Sequence, residues 1–442
     1  MNPKFVTDLN WYGVKDLNGR FKEKLRRCID DGREDLVQLC SDLVKIPSEN
    51  PPGDMEEIAS FVKGWLEARG LKVEVYEPER GKVSLISKIG EADKPALILN
   101  GHMDVVPAGD PKRWDFPPYC GEVKGGKVLG RGATDMKGGL TSIIVAFTTI
   151  FQLAEALPGR VILNLVPDEE TGGEYGSFLC VKTGKVQGDA CLIGEPSGIH
   201  HSFVGEKGVC WLRLKSEGVP AHGSLPMFGE NAIEKLVKAL PIARRMEREE
   251  VETPREIIRV IEASQDFYRE LMRGKGVTDE AKLEAAARAI NHNTVNIGVI
   301  RGGVKTNMVP ESCTANIDIR VPAGVTPEEV KRCLEELLEE AGLADIKCEF
   351  VESSNPNYTA PTEEIFTILD NNVREVVGVN AKPLFMTGAT DGRFFRLKGI
   401  PAINYGPGEI SLAHAYNEYV LTDDLIRATK VVAGTIVDFI YH

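Results

Sequence analysis

The chain has 442 residues, enough for two or three domains of ~100 to 200 residues and a large core, which excludes a peptide, a small disulfide scaffold or a lone binding module. Its 53 Lys+Arg against 66 Asp+Glu leave a formal net charge of −13, which argues against nucleic acid or an anionic membrane as the main partner. Hydrophobic residues at 42% and charged residues at 27% exclude wholesale disorder, and nine cysteines with no CxxC pair exclude a zinc finger, a thioredoxin motif and a dense disulfide framework. Such cysteine usage fits a reducing cytoplasm.

The N-terminal stretch MNPKFVTDLNWYGVKDL is polar and lacks the apolar h-region of a secretory signal. No stretch approaches the ~18 consecutive apolar residues of a membrane span, so a soluble cytoplasmic protein is expected. Residues 55–69 place Ile58, Phe61, Val62, Trp65 and Leu66 at helical spacing, with Gly70 as the residue that ends the helix. Short apolar runs follow at Ala96 to Leu99, Val161 to Val166, Ala190 to Ile193 and Ile400 to Ile403. Each is too short for a buried helix and reads as a strand covered on both faces, which predicts an α/β layer with a mixed, mostly parallel sheet flanked by helices.

The middle of the chain differs. Val209 to Lys215, Thr294 to Ile300 and the alternating Ala315 to Val321 read as strands, and Pro327 to Ala341 as an amphipathic helix with Val330, Leu334, Leu337, Leu338 and Ala341 on one face. A charged helical segment, roughly Glu230 to Asn291, is broken near Pro254 and Gly274 to Gly276. Residues 208–353 are therefore expected to form a separate α+β domain inserted into a first domain made of residues 1–207 and 354–442. No internal repeat or run of like charges interrupts this plan.

Ligands of open α/β sheets bind beyond the carboxyl ends of the strands. There the sequence puts His102 and Asp104, then Glu169 and Glu170, then Glu195, with Asp135 in the glycine-rich GRGATDMKGG loop and His414 in a loop after the last strand. Any one of these alone reads as a loop histidine or a solvated acidic turn; their conjunction does not. Like charges gathered so closely repel and raise each other's pKa, and metal ions resolve that conflict. Two imidazoles and three carboxylates suit zinc or cobalt in a two-metal site of about 3.5 to 4 Å separation. One carboxylate must then bridge, and one acidic residue must stay unligated to move protons. Gly130-x-Gly132 lacks the third glycine and the preceding strand of a dinucleotide fingerprint. His200, His201, His292 and His442 carry no motif and read as surface or structural residues.

GHMDVVP at 101–107, GRGATDMKGG at 130–139, PDEETGG at 167–173, GEP at 194–196 and GPGEISLAHAYNEY at 406–419 resemble, in order, the motifs of one family of dinuclear zinc amidohydrolases and metallopeptidases. That family contains acetylornithine deacetylase, succinyl-diaminopimelate desuccinylase, aminoacylase and glutamate carboxypeptidase. The resemblance implies two divalent ions per chain, zinc expected and cobalt able to substitute. It assigns His102 and Glu195 to one ion, Glu170 and His414 to the other, and Asp135 as the bridge. Asp104 would accept from the second nitrogen of His102 and fix its tautomer. Glu169 would be the general base that moves a proton from water to the leaving amine. The inserted domain would be a βαββαβ lid that also forms a homodimer interface and lends His222, in VPAHGSLP, to the partner's oxyanion. Asn307 in TNMVP and Arg320 in NIDIRV resemble lid positions that contact a substrate carboxylate.

Two features depart from compact members of the family: some 30 residues precede the matching region, and the helical segment near 240–290 is long. The TGATDGRFF stretch at 387–395 resembles the glycine-rich substrate loop of the deacylases. The expected activity is hydrolysis of the amide bond of an N-acyl amino acid, with a dipeptidase or carboxypeptidase as the nearest alternative. A non-catalytic small-molecule binding protein is a third reading, opposed by the retention of Glu169 beside all five expected ligands. No nucleic-acid or membrane partner is expected.

Overall fold

The computed structural model describes residues 7–249 and 251–441, so the expectations for the first six residues and for His442 lie outside the described part. The chain forms two compact units. The first takes the described part of Met1–Val204, Thr359–Pro383 and the described part of Thr390–His442; the second takes Gly205–Tyr358 and Leu384–Ala389.

The first unit is built on a mixed sheet. Its strands are β1 (Glu74–Tyr76), β2 (Ser84–Ile89), β3 (Ala96–His102), β4 (Arg160–Val166), β5 (Ala190–Ile193) and the start of β6 (His201–Glu206), with a further strand at Ala402–Asn404. They run in the order β1, β2, β4, β3, β5, Ala402–Asn404, β6. β4, β3, β5 and Ala402–Asn404 are mutually parallel, with Asn100 opposite Asn164 and Ile193, and Ile193 opposite Asn404. β2 joins β4 antiparallel, and β6 meets the Ala402 strand antiparallel. Every residue of β3 and β5 is buried, which explains why they read as unbroken apolar runs. This is the fold class the sequence predicts.

Two boundaries differ from the sequence reading. β3 continues through Gly101 to His102, so the histidine ends the strand instead of following it. The strand expected from Ile400 starts at Ala402, because Ile400 closes the preceding turn onto the Phe395 carbonyl at 3.0 Å and Pro401 has no N–H to give.

Helices cover the sheet. Helix α1 (Glu56–Glu67) buries Ile58, Val62 and Leu66, and helix α2 (Gly138–Leu153) packs against the C-terminal helix Thr422–Ile440. The stretch Ala133–Leu153 is long and apolar enough to cross a membrane by length and composition, but 78% of that window is buried inside the protein, as in a core helix.

The second unit is a four-stranded antiparallel sheet of β7 (Gly208–Glu217), β8 (Thr294–Gly302), β9 (Ser312–Val321) and β10 (Lys347–Ser354), in the order β8, β9, β7, β10. Helices α3 (Ala232–Ala243) and α4 (Pro327–Glu340) fill one face with Leu236, Ala239, Leu334 and Leu338 against Leu212, Leu214, Ile317 and Ile319. A capping box at Thr326 and Glu329 starts α4. Between β7 and β8 the charged segment forms separate helices at Ala232–Ala243, Ile258–Gly274 and Glu280–Arg288. The short return of Leu384–Ala389 to this unit is invisible in the sequence pattern: the Phe385 amide donates to Ser264 Oγ at 2.8 Å and the Thr387 amide to the Tyr268 hydroxyl at 3.2 Å.

Leu99 is fully buried in β3 between Leu163 and Leu192. Leu99→Ala should cost about 2 to 5 kcal/mol, as large-to-small core changes do. Urea denaturation followed by a probe in the first unit checks this; a loss under about 1 kcal/mol would contradict the packing.

Candidate metal centre

The parallel strands end at one edge, and the chemistry-bearing residues gather there. His102 is the last residue of β3, Glu169 and Glu170 follow β4 in a short turn, and Glu195 follows β5 by two residues. Asp135 approaches from the loop before α2. That approach is close enough to require glycine, since a Cβ on Gly139 would sit 1.6 Å from the Gly194 carbonyl oxygen. The pair of glycines thus brings the start of α2, and Asp135 with it, against the segment that carries Glu195.

The donor atoms converge around Asp135. Its Oδ1 lies 3.2 Å from His102 Nε2, which is itself 3.5 Å from Glu195 Oε1. Its Oδ2 lies 3.4 Å from His414 Nε2, which is 3.0 Å from Glu170 Oε2. One carboxylate therefore faces two separate His–Glu pairs, one through each oxygen. Glu169 shares the space, for ligand atoms of His102, Glu169 and Glu195 lie within 4.8 Å of one another, as do those of His102, Asp135 and Glu170. His414 is reached in a left-handed backbone conformation, φ 60°, and its side chain stays about half exposed while His102 is buried.

Charge explains what such a site wants. Burial, then the Glu195 charge, pushes the Glu169 carboxyl well above its usual range, and burial with the Asp135 charge raises both Glu195 and Glu170. Asp135 is driven up by burial but held below its ordinary value by His102 and His414. Burial opposes charge on His102, yet Asp104, Asp135 and Glu195 hold its imidazole well above normal; Asp135 and Glu170 lift His414 to about 10. The cluster gathers four carboxylates beside two imidazoles and is short of positive charge. Glu170 Oε1 and Glu195 Oε1 are buried without a hydrogen-bond partner. Orphaned acceptors, two imidazoles and a shared carboxylate make a donor set that divalent cations fit.

Supporting contacts aim these groups. His102 Nδ1 lies 2.8 Å from the Asp104 carbonyl oxygen, which can only accept, so Nδ1 carries a proton and Nε2 faces Asp135 and Glu195. The sequence reading gave that task to the Asp104 side chain. Its carboxylate stands farther off, at 3.4 Å, and instead accepts the backbone N–H groups of Glu169 and Glu170, each at 3.2 Å. Asn50, which the sequence reading missed, donates to Asp104 Oδ2 at 2.9 Å, as it does to Thr171 Oγ1. Its signal was present in the SENPPG turn, but nothing local ties that turn to residue 104. Behind the site, Asn100 and Ser177 both donate to Asp391, a buried carboxylate of the TGATDGRFF stretch that was also not singled out.

The remaining expected residues lie in the second unit. His222 and Asn307 sit on facing turns: His222 bridges to Met308, and the Gly223 amide donates to the Asn307 carbonyl at 2.8 Å. The Ser224 amide donates to His222 Nδ1 at 3.2 Å and the Ser224 hydroxyl lies 2.7 Å from the same nitrogen, so Nδ1 is engaged within this turn and the side chain is exposed. Arg320 does not stand free, since Asp318 on the same strand face takes its fork at 2.9 and 3.4 Å. A substrate carboxylate there would have to compete with Asp318. Of the other histidines, His200 is exposed, burial pulls His201 down to about 4, and the His292 carbonyl accepts from the buried Lys207 Nζ at 2.6 Å.

Residues 98–438 match the family described as Peptidase family M20/M25/M40. The chain belongs to that family. It is a hydrolytic enzyme of a family of dinuclear metal peptidases and amidohydrolases. Among curated proteins it is 26% identical to an N-formyl-4-amino-5-aminomethyl-2-methylpyrimidine deformylase of Bacillus subtilis, over 94% of this chain and 97% of the relative. It is 28% identical to a probable succinyl-diaminopimelate desuccinylase of Staphylococcus epidermidis, over 88% of this chain and 94% of the relative. Its fold is similar to that of the M20 family metallo-carboxypeptidase Sso-CP2 of Sulfolobus solfataricus, with a TM-score of 0.76 at 21% identity over 92% of this chain and 99% of the other.

The geometry around Asp135 generates a direct test. About two divalent ions per chain are expected at saturation, and Asp135→Ala should lower the content of both, more than replacement of either histidine. Elemental analysis of dialysed protein checks this; retention of both ions by the variant would remove Asp135 from its central place.

Proposed function

We propose that the chain hydrolyses the amide bond of an N-acyl amino acid at a two-metal site, the N-acyl group leaving as a carboxylate and the amino acid as a free amine. The observation that carries this reading is Asp135, whose two carboxylate oxygens each face a separate His–Glu pair. His102 and Glu195 would hold one ion, Glu170 and His414 the other, with Asp135 shared. Zinc, or cobalt in its place, would supply Lewis acidity toward the scissile carbonyl and ease the ionisation of water at neutral pH.

The chain's own residues do the rest. Glu169, its carboxyl raised by burial and by Glu195, is suited to take a proton from the attacking water and deliver it to the departing nitrogen. His222, with Nδ1 engaged within its turn, would stabilise the oxyanion, and Asn307 beside it would contact the substrate's carboxylate, with Arg320 doing so on release from Asp318. His222 would serve the site of a second copy, so the protein is read as a homodimer formed through its second unit. Strand β8 supports that reading: it is the edge of its sheet and leaves Val299 and Ile300 exposed, beside Val304 at 89% exposure. Nine free cysteines, six of them buried, support a cytoplasmic setting.

A peptide bond next to a free carboxylate presents the same chemistry, so a dipeptidase or carboxypeptidase is the second reading, supported by the fold likeness to a metallo-carboxypeptidase. Turnover of N-acetyl, N-succinyl and N-formyl amino acids, an N-formylaminomethylpyrimidine and dipeptides, followed by mass spectrometry, separates them. A protein that bound such compounds without turning any over would be a binding protein instead.

Glu169→Gln keeps the shape of the side chain but cannot accept the proton. It should retain its ions and lose about 100- to 10,000-fold in kcat. A loss of only a few-fold, with metal content lowered, would exchange the roles of Glu169 and Glu170.

For His222, an oxyanion donor is worth about 100- to 1,000-fold in kcat, so His222→Ala should fall by that factor with its metal content intact. Mixing that variant with Glu169→Gln under subunit exchange separates action across the dimer from action within one chain. Across the dimer, one site of each mixed pair regains both groups and activity partly returns. No recovery after proven exchange would assign His222 to its own chain.

A further inference from the structure

Behind Asp135 lies a buried ion pair that touches neither the expected ligand atoms nor Glu169. The Glu418 side chain is fully buried, and its Oε1 accepts the backbone N–H of Thr134 at 2.8 Å and of Asp135 itself at 3.0 Å. Its Oε2 accepts the Gly132 amide at 3.0 Å and Arg131 Nη1 at 2.6 Å. A carboxylate has about four lone-pair sites, and here all four are engaged. Gly132 turns the chain at φ 85°, so its amide and those of Thr134 and Asp135 point back at one side chain.

Arg131 extends the network to the other segment. From the same guanidinium, Nη1 also donates to the Ala415 carbonyl at 3.0 Å, and Nη2 lies 3.5 Å from the His414 carbonyl. Two further bonds run alongside: the Gly130 amide donates to the Glu418 carbonyl at 2.9 Å, and the Thr134 hydroxyl donates to the Tyr419 carbonyl at 2.6 Å. The segment that bears Asp135 and the segment that bears His414 are thus fastened to one another, and the carboxylate–guanidinium pair is the side-chain link between them. His414 needs such support, because a left-handed backbone at a non-glycine residue is held only when its surroundings fix it.

We propose that Glu418 and Arg131 are positioning residues for the metal ions: Glu418 fixes the backbone that aims both oxygens of Asp135, and Arg131 fixes the backbone that aims His414. The proposal rests on the two-metal reading. It differs from a role in folding alone because it ties each residue to a particular binding step. Loss of Glu418 should weaken both ions, which share Asp135, whereas loss of the Arg131 fork should weaken the one ion that His414 holds.

The test uses the full chain, stripped of metal and titrated with Zn²⁺ and with Co²⁺ against a chromophoric chelator, well below the melting transition. Wild type should show two steps. Glu418→Gln matches the side chain in size but presents an amide NH₂ to N–H donors, and should lose about 10- to 100-fold in affinity at both steps, as loss of partners behind metal ligands typically does. Arg131→Lys keeps the positive charge beside Glu418 without the planar fork, and should lose affinity at one step only. Melting temperature is recorded in parallel. A lower melting temperature with both affinities unchanged would overturn the proposal and leave the pair a purely stabilising one. If Glu418→Gln does not fold, Arg131→Lys decides by the same criterion, and unchanged affinities at both its steps overturn the proposal. A wild-type chain that bound no ion would instead overturn the two-metal reading and this proposal with it, an outcome distinct from two intact wild-type steps that neither variant disturbs.

Discussion

The dominant constraint on this molecule is electrostatic: Asp135, Glu169, Glu170 and Glu195 are gathered beside only two imidazoles at the carboxyl edge of a buried sheet. Burial and mutual repulsion raise the glutamates, and the surrounding carboxylates raise the imidazoles. Metal binding requires these ligands deprotonated, so metal affinity and pH are linked in such a centre. The strong perturbation of several groups in one place is itself a mark of a site kept for chemistry rather than for stability.

Holding repelling groups together requires a rigid frame, and the first unit supplies it through close main-chain contacts. Parallel pairing of β3 with β4 and β5 sets His102 beside the turns that carry Glu170 and Glu195. The approach of Gly139 to Gly194 leaves no room for side chains, and a Cβ on Gly406 would likewise meet the Gly194 carbonyl oxygen at 2.5 Å. Buried carboxylates are used as acceptors for loop amides, Asp104 for Glu169 and Glu170, and Asp168 for Tyr175 at 2.7 Å and Gly176 at 2.9 Å. Each amide so bound is a backbone group that no helix or strand partner satisfies.

The parts legible in the sequence were those whose signal is local. β3, β4 and β5 announce themselves as short apolar runs, and the five motifs place histidines and acids just past them, which is enough to gather His102, Asp135, Glu170, Glu195 and His414 at one edge. What escaped depends on contacts between distant segments. Asn50 reaches Asp104 across 54 positions, and Glu418 reaches Gly132 across 286, with no periodicity to report either. Arg320 carries a partner that its residue type does not announce: Asp318 two residues away takes its fork, and alternation along a strand puts the two on the same face. The return of Leu384–Ala389 to the second unit was hidden because six residues carry no boundary signal of their own.

The division of labour between Asp104 and its neighbours follows from the same economy of charge. The Asp104 carboxylate, 3.4 Å from His102 Nδ1, is not the nearest partner of a ring that already faces Asp135 and Glu195. The structure interposes the Asp104 carbonyl at 2.8 Å, which fixes the tautomer with a dipole, and turns the carboxylate onto the amides of Glu169 and Glu170 and the amide side chain of Asn50. One residue thereby orients the histidine through its backbone and the two glutamates through its side chain. The ring keeps Nε2 aimed at Asp135 and Glu195, and the turn that carries Glu169 and Glu170 is anchored to the strand that carries His102.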